Sequence, residues 1–142
     1  MRYNTIAYRL NDEFRNQAFQ NPTSVQSEAL KWVAESDQRD LDLKENELME
    51  RYVLTVLYLS TKGHKWPYNT YWFTTAHACD WKNVECIYSG GERCVTSLHL
   101  FQNKLHGNLP TELIHLLKIS FAIPPKILFF LEFSTSSFSL YS

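Results

Sequence analysis

The stretch VTSLHLFQNKLHGNLPTELIHLL, residues 95–117, constrains the fold of this 142-residue chain more than any other. Leucines stand at Leu98, Leu100, Leu105, Leu109 and Leu113, with Asn103, Gly107 and Pro110 between them. Over its whole length this spacing keeps neither the helical period of about 3.6 residues nor the strand period of about 2. It fits one coil of a solenoid: a short strand, a tight corner and a return segment, all turning leucines to one interior. Leu98 and Leu100 then alternate inward, because successive strand side chains face opposite sides. Asn103 turns the chain, and its amide can satisfy backbone groups that the corner shields from water. Gly107 permits a tight bend, and Pro110 sets φ ahead of the convex return.

Helical signals precede this coil. Thr23 and Gln26 stand in capping-box relation,. Val25, Ala29, Trp32 and Val33 follow on one face of a helix expected to end near Asp37,. A longer helix is expected over residues 45–61. Leu48, Tyr52, Val56 and Leu59 form its stripe, with Met49, Val53, Leu57 and Ser60 beside it. So wide a stripe puts this helix at the centre of the N-terminal core. Glu45 and Glu47 suit its positive end, and Gly63 stands where a left-handed cap is wanted. Acidic residues over 35–50 are interleaved with Arg39 and Lys44, and Arg51 follows; they read as a solvated face. Residues 64–80 carry large rings at uneven spacing, which suits a turn-rich segment packed on helices. Residues 88–92 read as a turn feeding a strand over 95–100.

Three segments in order resemble the plant-type leucine-rich-repeat family. STKGHKW, residues 60–66, resembles the small–Gly–polar–Trp stretch of the family's N-terminal cap. Cys79, Trp81, Val84 and Cys86 resemble its Cys-x-Trp-x-x-Val-x-Cys element. Residues 95–116 are similar to its repeat of about 24 residues, including the Gly-x-Leu-Pro ending,. The helices around Ala29–Trp32 and Arg51–Leu54 resemble the enlarged helical cap of some members. The resemblance implies an α/β fold: a helical cap followed by the start of a right-handed solenoid, about one complete repeat. The expected division is 1–22 a flexible N-terminal segment, 23–94 the helical cap, 95–118 the repeat, and 119–142 an atypical apolar tail.

The same resemblance implies a Cys79–Cys86 disulfide that clamps Trp81 over the edge of the leucine core. Two reduced thiols remain the alternative, and Cys94 is either a small buried hydrophobe or a competitor for Cys86. Ligands of the family lie on the concave strand, which here offers Thr96, Ser97, His99, Phe101 and Gln102. Asn103, Gly107, Pro110 and Trp81 take structural roles.

Other classes find little support. A net charge of −1 with no basic cluster gives no reason to expect nucleic acid,. Cys79, Cys86, Cys94 and His99 lack the usual structural-zinc spacings, so no metal is expected, and neither is a cofactor. No catalytic motif stands out, and the chain is expected to be non-enzymatic. No apolar run is long enough for a membrane span, and no signal segment is visible. The cysteine pair nevertheless favours an oxidising compartment, so a secreted or cell-surface location is expected.

The repeat does not continue. About 24 residues beyond Leu98, Leu100 and Asn103 stand Ala122, Pro124 and Ile127,. Residues 121–142 hold five of the nine Phe and only two charged residues, Lys126 and Glu132. Either this tail covers the open end of the coil, or it is not the native continuation; the second is expected, with the chain a fragment of a longer repeat protein. The functional expectation is a protein- or peptide-binding scaffold. The alternative is an ectodomain fragment of a leucine-rich-repeat receptor-like kinase acting in signalling.

Overall fold

The computed structural model describes residues 2–14, 17–36, 45–100 and 103–118. They form a mixed α/β fold of helices and one two-stranded antiparallel sheet. The helices are α1 (Arg2–Phe14), α2 (Val25–Lys31), α3 (Glu45–Ser60) and the short α4 (Ile114–Lys118). The strands are β1 (Val84–Ser89) and β2 (Glu92–Leu98). The expected tail, residues 119–142, lies outside the described residues.

The N-terminal segment expected to be a flexible lead-in is instead mostly helical. Ile6 and Leu10, one turn apart on α1, are buried, and Phe14 packs its ring 4.9 Å from that of Tyr52. Polar residues dilute this pattern, so it becomes legible only once a partner surface exists. The cap of α2 also differs by one residue. Ser24, not Thr23, holds the extended N-cap conformation, and its side chain accepts from the Ser27 N–H at 3.0 Å,. Gln26 reaches across the fold instead and donates to Glu112 at 3.1 Å, tying α2 to the return segment. Beyond Lys31 the helix widens into one π-turn, Trp32–Ser36, whose Val33 and Ala34 are buried.

Helix α3 is the axis of the molecule. Every residue from 48 to 58 is buried, so water touches no face of it over nearly three turns,. Glu50 and Arg51, read from sequence as part of a solvated face, are therefore interior, at 1% and 0% exposed. The C-terminus of α3 is closed by long-range bonds. The Thr61 carbonyl accepts from the Trp66 indole N–H at 3.1 Å and from the backbone N–H of His106 at 3.3 Å. The left-handed residue here is Lys62 (φ 55°), not Gly63. Gly63 serves close packing instead, because a Cβ there would run into the Tyr58 ring.

The turn-rich segment over 66–83 is held by its own rings. Trp66, Trp72 and Trp81 each donate an indole N–H to a backbone carbonyl: Thr61, Lys82 and Ala76. Tyr58, Phe73 and Trp32 complete a continuous cluster, with Phe73 stacked 4.5 Å from Trp32 and 5.2 Å from Tyr58. Such amphipathic rings suit a segment without regular structure, since each supplies both apolar area and a donor for an otherwise unpaired carbonyl.

Cys79 and Cys86 are joined in a disulfide, with Cα atoms 5.7 Å apart. It links the turn Ala78–Asp80 to β1. Closing so short a loop restricts the unfolded chain by about 2.5 kcal/mol on the chain-entropy model. Cys94 is outside this bond, half-buried on β2 opposite Ile87.

The strand expected over 95–100 runs instead from Glu92 to Leu98, and its neighbour is β1, a strand that sequence reading missed. The two form a hairpin around the glycine pair Gly90 and Gly91, both at positive φ,. A bulge at Glu85/Cys86 shifts the register within it,. Among the described residues this hairpin is the whole sheet, and they show no solenoid.

Candidate functional site

The leucine-rich segment that follows β2 packs along α3. Leu98, Leu100, Leu105, Leu109, Leu113 and Leu116 are all buried in one continuous core with the α3 residues. The segment comes so close to α3 that a Cβ on Gly107, which sits at φ 103°, would collide with the Ser60 carbonyl oxygen. Glycine at 107 thus answers a close approach as well as a bend. Pro110, at φ −72°, caps the short turn Thr111–Leu113 that leads into α4,.

Asn103 stands in this segment and is 0% exposed. Its Oδ1 accepts from the Tyr68 backbone N–H at 3.0 Å, which joins the leucine-rich segment to the turn-rich one. Its Nδ2 is buried and has no hydrogen-bond partner among the described residues. Asn103→Leu is expected to lower stability by about 1–3 kcal/mol, because the Tyr68 donor would lose its acceptor in a dry corner. Asn103→Asp keeps an acceptor there and should lose less of that bond. Urea unfolding midpoints measure both; a Leu variant as stable as the parent would remove Asn103 from this role.

Three of the residues expected on the ligand-facing strand gather around Glu85 of β1. Thr96 donates its hydroxyl to the Glu85 carbonyl at 3.2 Å, and Ser97 is the cross-strand partner of Glu85. His99 lies just past β2, where its backbone N–H donates to the Asn83 carbonyl at 2.9 Å. Its Nε2 stands 3.1 Å from the Glu85 carboxylate, an ion pair whenever the ring is protonated. Glu85 is the most open of the set, its side chain 63% exposed. Phe101 and Gln102, the other two expected contacts, lie outside the described residues. Trp81, expected over the leucine edge, is buried against Trp72 and Trp32, with the Arg51 guanidinium 5.1 Å from its ring.

This arrangement offers two hydroxyls, an imidazole and a carboxylate on a hairpin backed by the core. Such groups exchange hydrogen bonds with polar or charged ligand groups. The described residues contain no group of three or more side chains suited to hold a metal ion.

Glu85 could have been found from sequence only by recognising β1, whose V-E-C-I-Y-S run carries a weak alternation masked by Cys86 and Ile87, both half-buried. Glu50 and Arg51 did leave a signal. With apolar side chains at 48, 49, 52, 53, 54, 56 and 57, α3 has no face left for water, so any charge between them has to be interior,.

The disulfide, together with the lack among the described residues of any helix long and apolar enough to cross a membrane, is compatible with an extracellular location. No protein-family model, curated protein or solved structure matches this chain.

Proposed function

We propose that the chain is the cap and first coil of a leucine-rich-repeat scaffold that binds a protein or peptide and performs no chemistry of its own. The observation that supports this reading is the burial of the leucine-rich segment against α3. Six leucines from residues 98–116 share one interior with α3, and a fully buried asparagine stands at the corner where the sequence pattern put it. The disulfide-tied hairpin on a buried helix suits a cap, whose task is to keep the first leucine layer dry. The disulfide also favours a secreted or cell-surface setting,.

Ligand contact is assigned to Thr96, Ser97 and His99 around Glu85. One hairpin offers well under the roughly 800 Å² per partner of a standard protein interface, so tight binding belongs to an array of such coils. The test joins residues 1–118 to an array of consensus plant-type repeats. A true cap raises the array's melting temperature by roughly 5 °C or more and keeps it monomeric. An array that melts and aggregates as it does without these residues would reject the reading.

A further inference from the structure

Glu50 is a carboxyl inside the core helix α3, 1% exposed. Its Oε1 accepts from the backbone N–H of Val95 at 2.9 Å, so it holds β2 onto α3. Its Oε2 is buried and has no hydrogen-bond partner among the described residues. An ionised carboxylate left half-satisfied in a dry core is costly, whereas the neutral acid still accepts from Val95 and carries less charge to solvate.

The surrounding groups point the same way. On α3, Glu47 lies one turn away, and its carboxylate is 3.4 Å from Nε2 of His77. On β2, Glu92 adds a second negative charge near Glu50. Arg51, the adjacent cation, directs its guanidinium to the carbonyls of Ala76 and Thr74. Arg93 of β2 is paired with Asp80 of the disulfide turn at 2.9 Å. His77 accepts from the Cys79 N–H through Nδ1, which places the proton of the neutral ring on Nε2, towards Glu47,.

We propose that Glu50 is a proton-operated latch: its neutral form stays in the dry core and holds β2 to α3, whereas the ionised form, although a better acceptor for Val95, is driven towards water and so loosens that joint. The latch makes cap and coil cohere more firmly in acidic than in mildly alkaline surroundings. It concerns the joint between α3 and β2, and it holds whether or not the coil belongs to a repeat array.

Burial, the largest influence, pushes the Glu50 carboxyl from 4.5 up to about 7; the Val95 bond opposes this and the charges of Glu47 and Glu92 add to it. The folded state therefore keeps a proton that the unfolded chain has already released. Stability from this group is complete below about pH 4.5 and is lost as pH rises through about 7,. Between pH 5 and pH 8 the folding equilibrium constant attributable to Glu50 should fall roughly 50- to 100-fold.

The test uses the whole chain with its disulfide intact, as wild type, Glu50→Gln and His77→Asn. Glutamine keeps an acceptor for Val95 and cannot ionise, while asparagine keeps the acceptor that His77 offers to Cys79. Backbone amide NMR follows the Val95 proton and its exchange protection from pH 5 to 8, and urea unfolding runs alongside. The expected result is a Val95 shift that titrates near neutrality in wild type and in His77→Asn but is flat in Glu50→Gln. Protection at Val95 and global stability should fall over the same range. A flat Val95 shift in wild type overturns the latch, as does a titration that survives in Glu50→Gln or vanishes in His77→Asn. Wild type alone decides the matter should the glutamine variant fail to fold, because the side-chain carboxyl carbon of Glu50 can be titrated directly.

Discussion

Arg51→Ala should destabilise the protein by about 3–5 kcal/mol, read as a shift of the urea unfolding midpoint at an unchanged m-value. The guanidinium is fully buried, and its fork reaches two backbone carbonyls in the turn-rich segment, Ala76 at 2.7 Å and Thr74 at 2.6 Å. It also lies 5.4 Å from the Trp32 ring centroid and 5.1 Å from that of Trp81. Alanine removes both charge-assisted bonds, strands the Thr74 carbonyl, leaves Ala76 with the Trp81 donor alone, and leaves a void between the rings,. Arg51→Lys separates charge from geometry. An ammonium keeps the cation but cannot span both carbonyls as the planar fork does, so the lysine variant should recover only part of the loss. A cost below about 1 kcal/mol for alanine would mean that the segment holds its shape without the arginine.

Trp81→Ala should cost a similar amount, about 3–5 kcal/mol, and the two losses should not add. The Trp81 indole N–H donates at 3.1 Å to the Ala76 carbonyl, the same oxygen that Arg51 reaches. Its ring also stands 5.1 Å from Trp72, which in turn pins the Lys82 carbonyl. Once either partner is gone, the other has lost part of what it was packed against. The double variant should therefore fall short of the summed losses by about 1 kcal/mol or more. Strict additivity would show that the two side chains act on separate parts of the fold. Trp81→Phe, which keeps most of the apolar area and deletes the donor, should sit between wild type and alanine.

Arg51 and Trp81 also mark where reading the sequence stops. Trp81 stood inside a recognisable Cys-x-Trp element, so its burial was expected; that it would share a carbonyl with a residue of the long helix was not. Arg51 lay beside a run of mixed charge and was assigned to water. The error came from grouping it with the mixed charges of residues 35–50 rather than with the apolar residues around it on the helix, Leu48 to Leu57. Helix α3 was legible nearly to the residue, since its apolar positions exceed what one face can hold. β1 was not, because cysteine and tyrosine fit a turn-rich loop as well as a strand, and pairing with β2 is a non-local choice.

The site divides in the same way. Thr96, Ser97 and His99 were picked from their places on a strand. That they converge on Glu85 followed from the hairpin register and its bulge, which no spacing within residues 95–102 encodes. Gly107 was read as a bend, and the chain does take positive φ there, yet the approach to Ser60 belongs to the contact with α3.

By itself the sequence determined the elements whose instructions are local: the inward leucines of residues 98–116 with their buried asparagine, the all-round apolar helix and the close spacing of Cys79 and Cys86. Hydrophobic period, turn chemistry and short loops act over a few residues, so one dimension carries them. Tertiary structure alone decided that α1 docks, that β1 pairs with β2, and which groups Glu50 and Arg51 meet in the interior. Docking, strand pairing and the partners of a buried charge depend on what arrives from elsewhere in the chain, and no local stretch of sequence can specify that.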